Sequence, residues 1–219
     1  MKFSPRTIQL LRNFSTIEES IMFKPGNVIA TRSKSKSILA KAKIDTELES
    51  SFAIAELGHF LSALSMFTDP ELTPEQNWLK MSEGSSKMNY VYSDPDCVIV
   101  APDKPVTLPT IDVTFDLKAD VLSRLIKALA ITNAPMISVR GDKQNVYLET
   151  IDPKNPTKST YSVQVGTTDK TFQLIIAAEN VKLMSDDYHV EVCSRGISHF
   201  IGTDVEYWIA LEANSTFEG

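Results

Sequence analysis

Glycine is scarce in this chain, eight in 219 residues, and none of the loops that glycine builds around phosphates is present. There is no GxxxxGK, no GxGxxG and no GxSxG nucleophile turn. Cysteine is scarcer. Cys97 and Cys193 stand far apart with no CxxC spacing, which excludes a disulfide framework and makes a reduced cytoplasmic protein the expectation. No apolar run approaches the ~20 residues needed to cross a bilayer, and the opening MKFSPR lacks the apolar core of a secretory signal. The three histidines are scattered. His189 and His199 with Cys193 fall on adjacent expected strands, but no fourth ligand supports a metal site. Asp94-Pro95-Asp96 and Asp186-Asp187 read as turn residues before they read as cation loops. No carboxylate pair has a spacing that calls for acid/base work, so neither catalysis nor a cofactor is expected.

What the chain does have is segregated charge. The formal net charge is −6, yet residues 1–43 hold nine Lys/Arg against Glu18 and Glu19, a balance of +7. The remainder carries thirteen basic and twenty-six acidic residues. A basic region on an acidic protein can meet nucleic acid while the other surfaces repel it; the alternative is a solvated basic face.

Hydrophobic periodicity gives an order of elements that occurs twice. Residues 4–14 predict a helix with Ser4 as N-cap and Pro5 in the first turn, with Thr7, Ile8, Leu10, Leu11 and Phe14 inward. Strands are expected at 20–24, 27–32, 37–45 and 51–55, then a helix at 56–67 stopped by Asp69-Pro70, then strands at 77–82 and 87–92. A short apolar strand at 97 leads into a three-proline connector at about 101–110. The second half follows the same plan. A strand at 111–117 and a helix at 118–131, with Leu122, Leu125, Ile126 and Leu129 inward, precede strands at 135–140, 145–151 and 159–165. A strand running into a short helix at 170–184 and strands at 188–195, 197–203 and 206–212 complete it. The expected fold is α+β with two similar domains, 1–108 and 109–219, helices on the inner face and antiparallel sheets on the outer.

The leading helix of each half carries cations on its polar side: Lys2, Arg6 and Arg12, then Lys118, Arg124 and Lys127, opposed only by Asp120. Lys182, on the short helix of the second half, is grouped with them. If such domains join edge to edge in a ring, these faces point to the axis and meet duplex DNA through its phosphates, without reading bases. The alternative is a set of solvated helix faces. The basic segment from Arg32 to Lys43 either meets DNA emerging from one face or is a solvated edge that discourages sheet aggregation.

The segments LLRNFSTI (10–17), IMFKPG (21–26), IAELGHFLSALS (54–65), VAPDKPVTLP (100–109) and ALEANST (210–216) resemble the sliding clamp of T-even-type bacteriophages, spread in order over nearly the whole chain. The basic tip at 32–43 is richer in lysine than this family leads one to expect. The resemblance implies a homotrimer whose six domains close a ring on double-stranded DNA. It also implies an ATP-driven clamp loader, a replicative polymerase bound through its C-terminal peptide, late-transcription factors as further partners, and a place in the cytoplasm of the infected bacterial host. Partner peptides in such clamps dock in an apolar pocket near the connector. The matching residues are Val106, Leu108 and Pro109 of the connector, with Ala210, Leu211 and Ala213 of the expected last strand. The readings set against a clamp are a protein-interaction or virion component on the same repeat, and an enzyme.

Overall fold

Ser4 and Pro5 open the first helix as their chemistry dictates. In the computed structural model, which describes residues 1–155 and 157–218, Ser4 Oγ accepts from Thr7 N at 3.1 Å and Pro5 occupies the first helical position. The chain divides into two units, Met1–Lys104 and the chain from Pro105 on, a division that falls inside the expected connector.

In the first unit the order is α1 (Pro5–Ile17), β1 (Ile21–Phe23), β2 (Gly26–Arg32), β3 (Ile38–Leu48), β4 (Phe52–Ile54), α2 (Leu57–Leu64), β5 (Glu71–Pro74), β6 (Trp78–Glu83) and β7 (Ser86–Val91). β1 pairs with β4, β2 with β3, and β6 lies between β5 and β7, all antiparallel. The Pro25-Gly26 turn works because Gly26 takes φ +112°, where a side chain would be strained. Leu10, Leu11 and Phe14 of α1 are fully buried, as are Phe23, Leu57 and Phe60, and Phe23 stacks on Phe52 at 4.6 Å. Each such side chain contributes roughly 1.5–3 kcal/mol of hydrophobic stabilisation.

The second unit contains β8 (Val113–Leu117), α3 (Ala119–Thr132), β9 (Met136–Asp142), β10 (Asn145–Ile151), β11 (Ser162–Thr167), β12 (Thr171–Ala177), β13 (Tyr188–Cys193), β14 (Ile197–Ile201), β15 (Val205–Ala210) and β16 (Thr216–Glu218). One sheet runs β11-β10-β9-β12-β16; in the other, β8, β13, β14 and β15 pair in succession. Leu122 and Leu125 of α3, with Leu174, Val190 and Tyr207, form its core. Gly141 lies directly across from Phe172 in the β9–β12 pair, and the aromatic ring occupies the space a side chain at 141 would need.

The repeat is topological as well as sequential. The pairs β1–β4, β2–β3 and β5–β6–β7 of the first unit correspond to β9–β12, β10–β11 and β13–β14–β15 of the second. Even β8, which pairs with β13, has a counterpart. Met1 exchanges two hydrogen bonds of 2.7 and 2.8 Å with Leu72 of β5.

Several expected elements differ. Helix α2 ends at Leu64 rather than 67, because Met66 and Phe67 tighten into i→i+3 bonds. No strand forms at 97; Pro95–Cys97 is a 3₁₀ turn capped by Asp94. The short helix after β12 shrinks to one 3₁₀ turn, Ala178–Asn180. β5 and β16 are present where no strand was expected. Ile126, expected inward, is 40 % exposed. The buried stripe of α3 is Leu122, Leu125 and Ala128, centred on Leu125, and the residue after it is turned about 100° away.

Candidate nucleic-acid interface

The packing of α1 leaves Gln9, Arg12 and Thr16 exposed, with Arg6 half-buried at their margin. Arg12 has no ion pair among the described residues. Lys2, before the helix, is exposed and paired with Asp69, which accepts its hydrogen bond and holds the ammonium pKa above its ordinary value.

The second unit repeats this arrangement. Lys118 is the N-cap of α3, one place outside the helix, and donates to Asp187 at 2.9 Å. The other Asp187 oxygen accepts from Ala119 N at 2.8 Å. The lysine before the leading helix is thus paired with an aspartate just before β5 in one unit and just before β13 in the other. The Lys118 and Ala119 bonds hold the Asp187 carboxyl below the usual carboxylate range. Arg124 pairs with Asp120 at 2.8 Å, one helical turn back, whereas Lys127 is exposed without an ion pair among the described residues. Lys182 is half-buried beyond the 3₁₀ turn. Of the seven cations singled out in the sequence, Arg12 and Lys127 are therefore exposed without a carboxylate partner. Lys2, Lys118 and Arg124 share their charge with an exposed aspartate, an arrangement that surface screening makes weak and easily exchanged for another anion.

The six residues expected at a partner pocket all fall in the second unit. Val106 and Leu108 are half-buried and Pro109 is exposed; Ala210 ends β15, Leu211 N donates to Gly196 O at 2.9 Å, and Ala213 is exposed. The last strand is β16, not the segment that holds them. None of the six lines either of two cavities whose walls come from segments remote in sequence. One, of about 240 Å³, lies in the first unit between Met22, Val28, Ala30 and Lys41 and the segment Val100–Asp103. The other, of about 320 Å³, is bounded by Ile151, Asp152, Gln173, Ile175 and Asn214.

The residues weighed as metal ligands or acids have structural partners. His189 Nδ1 lies 2.9 Å from Asp116, and His199 sits 2.9 Å from Glu206 and stacks on Trp208 at 4.4 Å. Cys193 is buried 3.3 Å from the Thr110 hydroxyl. Among the described residues no group of three or more His, Cys, Asp and Glu is arranged to hold a metal ion.

Residues 2–100 match the family described as DNA polymerase processivity factor, and residues 114–213 match gp45 sliding clamp, C terminal. The chain is 32 % identical over 221 residues to the sliding clamp of Vibrio phage KVP40, covering 97 % of this chain and all of that one. It is 29 % identical to the sliding clamp of Enterobacteria phage T4, with both chains fully covered. Among solved structures, the fold is similar to the PCNA of A. fulgidus bound to the C-terminal region of FEN-1, with a TM-score of 0.70, 13 % identity and 95 % and 96 % of the two chains covered. Duplicated topology, a leading cationic helix in each unit and these likenesses agree: the chain belongs to the sliding clamps, the DNA polymerase processivity factors.

Proposed function

We propose that three copies of this chain close into a ring around duplex DNA and tether the replicative polymerase, without catalysing a reaction themselves. The observation that carries this reading is a pair of strand edges of equal length that have no strand partner among the described residues. β7 is the outer strand of β5-β6-β7 and β11 the outer strand of β11-β10-β9-β12-β16, and each is six residues long. Exposed edges of that length are aggregation sites unless something covers them. Pairing β7 of one copy with β11 of the next satisfies both in a head-to-tail contact that three copies, six domains, can close. Val91 of β7, 67 % exposed, supplies apolar surface at that edge.

In the ring, the leading helices α1 and α3 face DNA with Arg12 and Lys127, joined by Lys2, Arg6, Lys118, Arg124 and Lys182. Contact is to phosphates, hence without sequence preference and weak enough for sliding. The polymerase binds through a C-terminal peptide, and the FEN-1 segment on its PCNA supports that mode. Val106, Leu108, Pro109, Ala210, Leu211 and Ala213 receive the peptide's apolar anchors. An ATP-driven loader opens the ring, and the same mobile platform serves late transcription in the cytoplasm of an infected bacterium. Native mass spectrometry tests the assembly. The chain of 24.3 kDa is expected at three times that mass; a monomer at working concentration contradicts the reading.

A further inference from the structure

Residues 24–43 contain six lysines and arginines and not one aspartate or glutamate, in a protein of net charge −6. The fold concentrates them on the β2–β3 hairpin. The register pairs Val28 with Lys43, Ala30 with Lys41 and Arg32 with Leu39, so Arg32, Lys41 and Lys43 share one face of the ribbon. Ile29, Ala40, Ala42 and Ile44 point to the other and are buried. At the end of the ribbon stands the tip Ser33-Lys34-Ser35-Lys36-Ser37. Lys34, Lys36 and Lys43 are exposed and form no ion pair among the described residues. Lys24 of this segment pairs with Asp103.

The tip is built, not slack. Ser33 N donates to Ile38 O and Lys36 N to Ser33 O, both at 2.9 Å. The Ser33 hydroxyl accepts from Ile38 N at 3.0 Å. The hydroxyls of Ser33, Ser35 and Ser37 converge within 2.7–3.4 Å, and Lys36 takes the left-handed φ of +63° that a non-glycine residue adopts at a cost. At its base the Arg32 Nε–H has no acceptor among the described residues.

From this we infer that the β2–β3 hairpin is a second contact for nucleic-acid phosphates, on a different element from the α1 and α3 faces and additional to the function proposed above. Lysine and serine are depleted in protein–protein interfaces, which rely on aromatic, methionine and arginine anchors, and the tip Ser33-Lys34-Ser35-Lys36-Ser37 offers none of these. Lysine ammoniums and serine hydroxyls are, in contrast, among the groups that hold phosphate oxygens in register without reading bases.

The test is fluorescence anisotropy of a labelled single-stranded oligo-dT 30-mer with the full chain between 50 and 200 mM salt, comparing wild type with the Lys34→Ala/Lys36→Ala/Lys43→Ala variant. Three lost phosphate contacts reduce the single-strand salt slope by about 2, so wild-type affinity is expected to fall roughly 20-fold more than the variant's over that range. Arg12→Ala/Lys127→Ala, made separately, is expected to retain the hairpin-dependent difference. Native mass checks that each variant keeps the wild-type assembly, so failure of the ring and failure of this site are told apart. Equal salt slopes for wild type and the hairpin variant overturn the inference. So does binding of a labelled acidic peptide such as oligo-Glu that the hairpin variant abolishes, when oligo-dT shows no hairpin-dependent binding.

Discussion

Replacing Gly141 with alanine tests the packing that holds the β11 edge in place. An ideal Cβ at 141 falls 2.4, 2.7 and 2.8 Å from three ring atoms of Phe172, where ordinary contact begins near 3.4 Å. About 1 Å of movement must therefore be found. The ring has little room, being 2 % exposed and stacked on Phe217 at 6.0 Å. The backbone has less, because β9 is bonded to β10 on one side and β12 on the other. Overpacking of this kind costs about 1–3 kcal/mol, and the fixed backbone puts Gly141→Ala near the upper end, about 2–3 kcal/mol. For a chain of this length that lowers Tm by roughly 5–10 °C, read by circular dichroism or calorimetry. Phe172→Leu removes the offending ring atoms, so Gly141→Ala/Phe172→Leu is expected to cost at least about 1 kcal/mol less than the two single changes added together. A loss under about 0.5 kcal/mol for Gly141→Ala, or strict additivity in the double variant, refutes the reasoning.

Further outcomes follow from other sites. Val91→Lys, on the exposed β7 edge, is expected to shift the native mass from about three chains to one without lowering the Tm of the protomer; an intact trimer removes β7 from the interface. Arg12→Glu with Lys127→Glu should shorten the DNA made per polymerase binding event while mass and Tm stay unchanged, since exposed substitutions of this kind fall within about 0.5 kcal/mol. Unaltered product lengths in a primer-extension assay speak against α1 and α3 as the DNA face. Asp112 Oδ2 accepts from Ser194 N and Oγ at 2.7 Å each, and the Ser194 hydroxyl, foremost, holds this carboxyl below its usual range. Its folded pKa lies below the unfolded one, so its contribution is complete above about pH 4 and is lost as pH falls through the folded value. Asp112→Asn is expected to cost about 1.5 kcal/mol at neutral pH and to flatten the acid limb of a Tm–pH profile. An unchanged limb contradicts that assignment.

The parts of the fold legible in the sequence are those where local chemistry and long periodicity agree. Ser4-Pro5 announces α1, the 3.6-residue stripe announces α3, and Pro25-Gly26 and Gly84 mark turns that take positive φ. The missed strands are those whose pairing comes from far away. β5, carrying Glu71 and Pro74, is fixed by Met1 and β6, and the three-residue β16 exists because β12 offers an edge. The segment at 97 has the composition of a strand, but Asp94 caps it into a turn. The cations of the leading helices could be picked out from helical phase. Which of them are shared with Asp69, Asp187 and Asp120 could not, because two of those partners lie more than sixty residues away. The cavities were hidden for the same reason, since each is lined by segments remote in sequence.

The most direct measurement is retention on DNA of defined topology. Once loaded onto a nicked circular duplex, the protein is expected to remain bound through a high-salt wash that dissolves phosphate contacts, and to leave within the same period once a restriction enzyme opens the circle. Loss from the intact circle at the rate seen on the linear form would contradict encirclement.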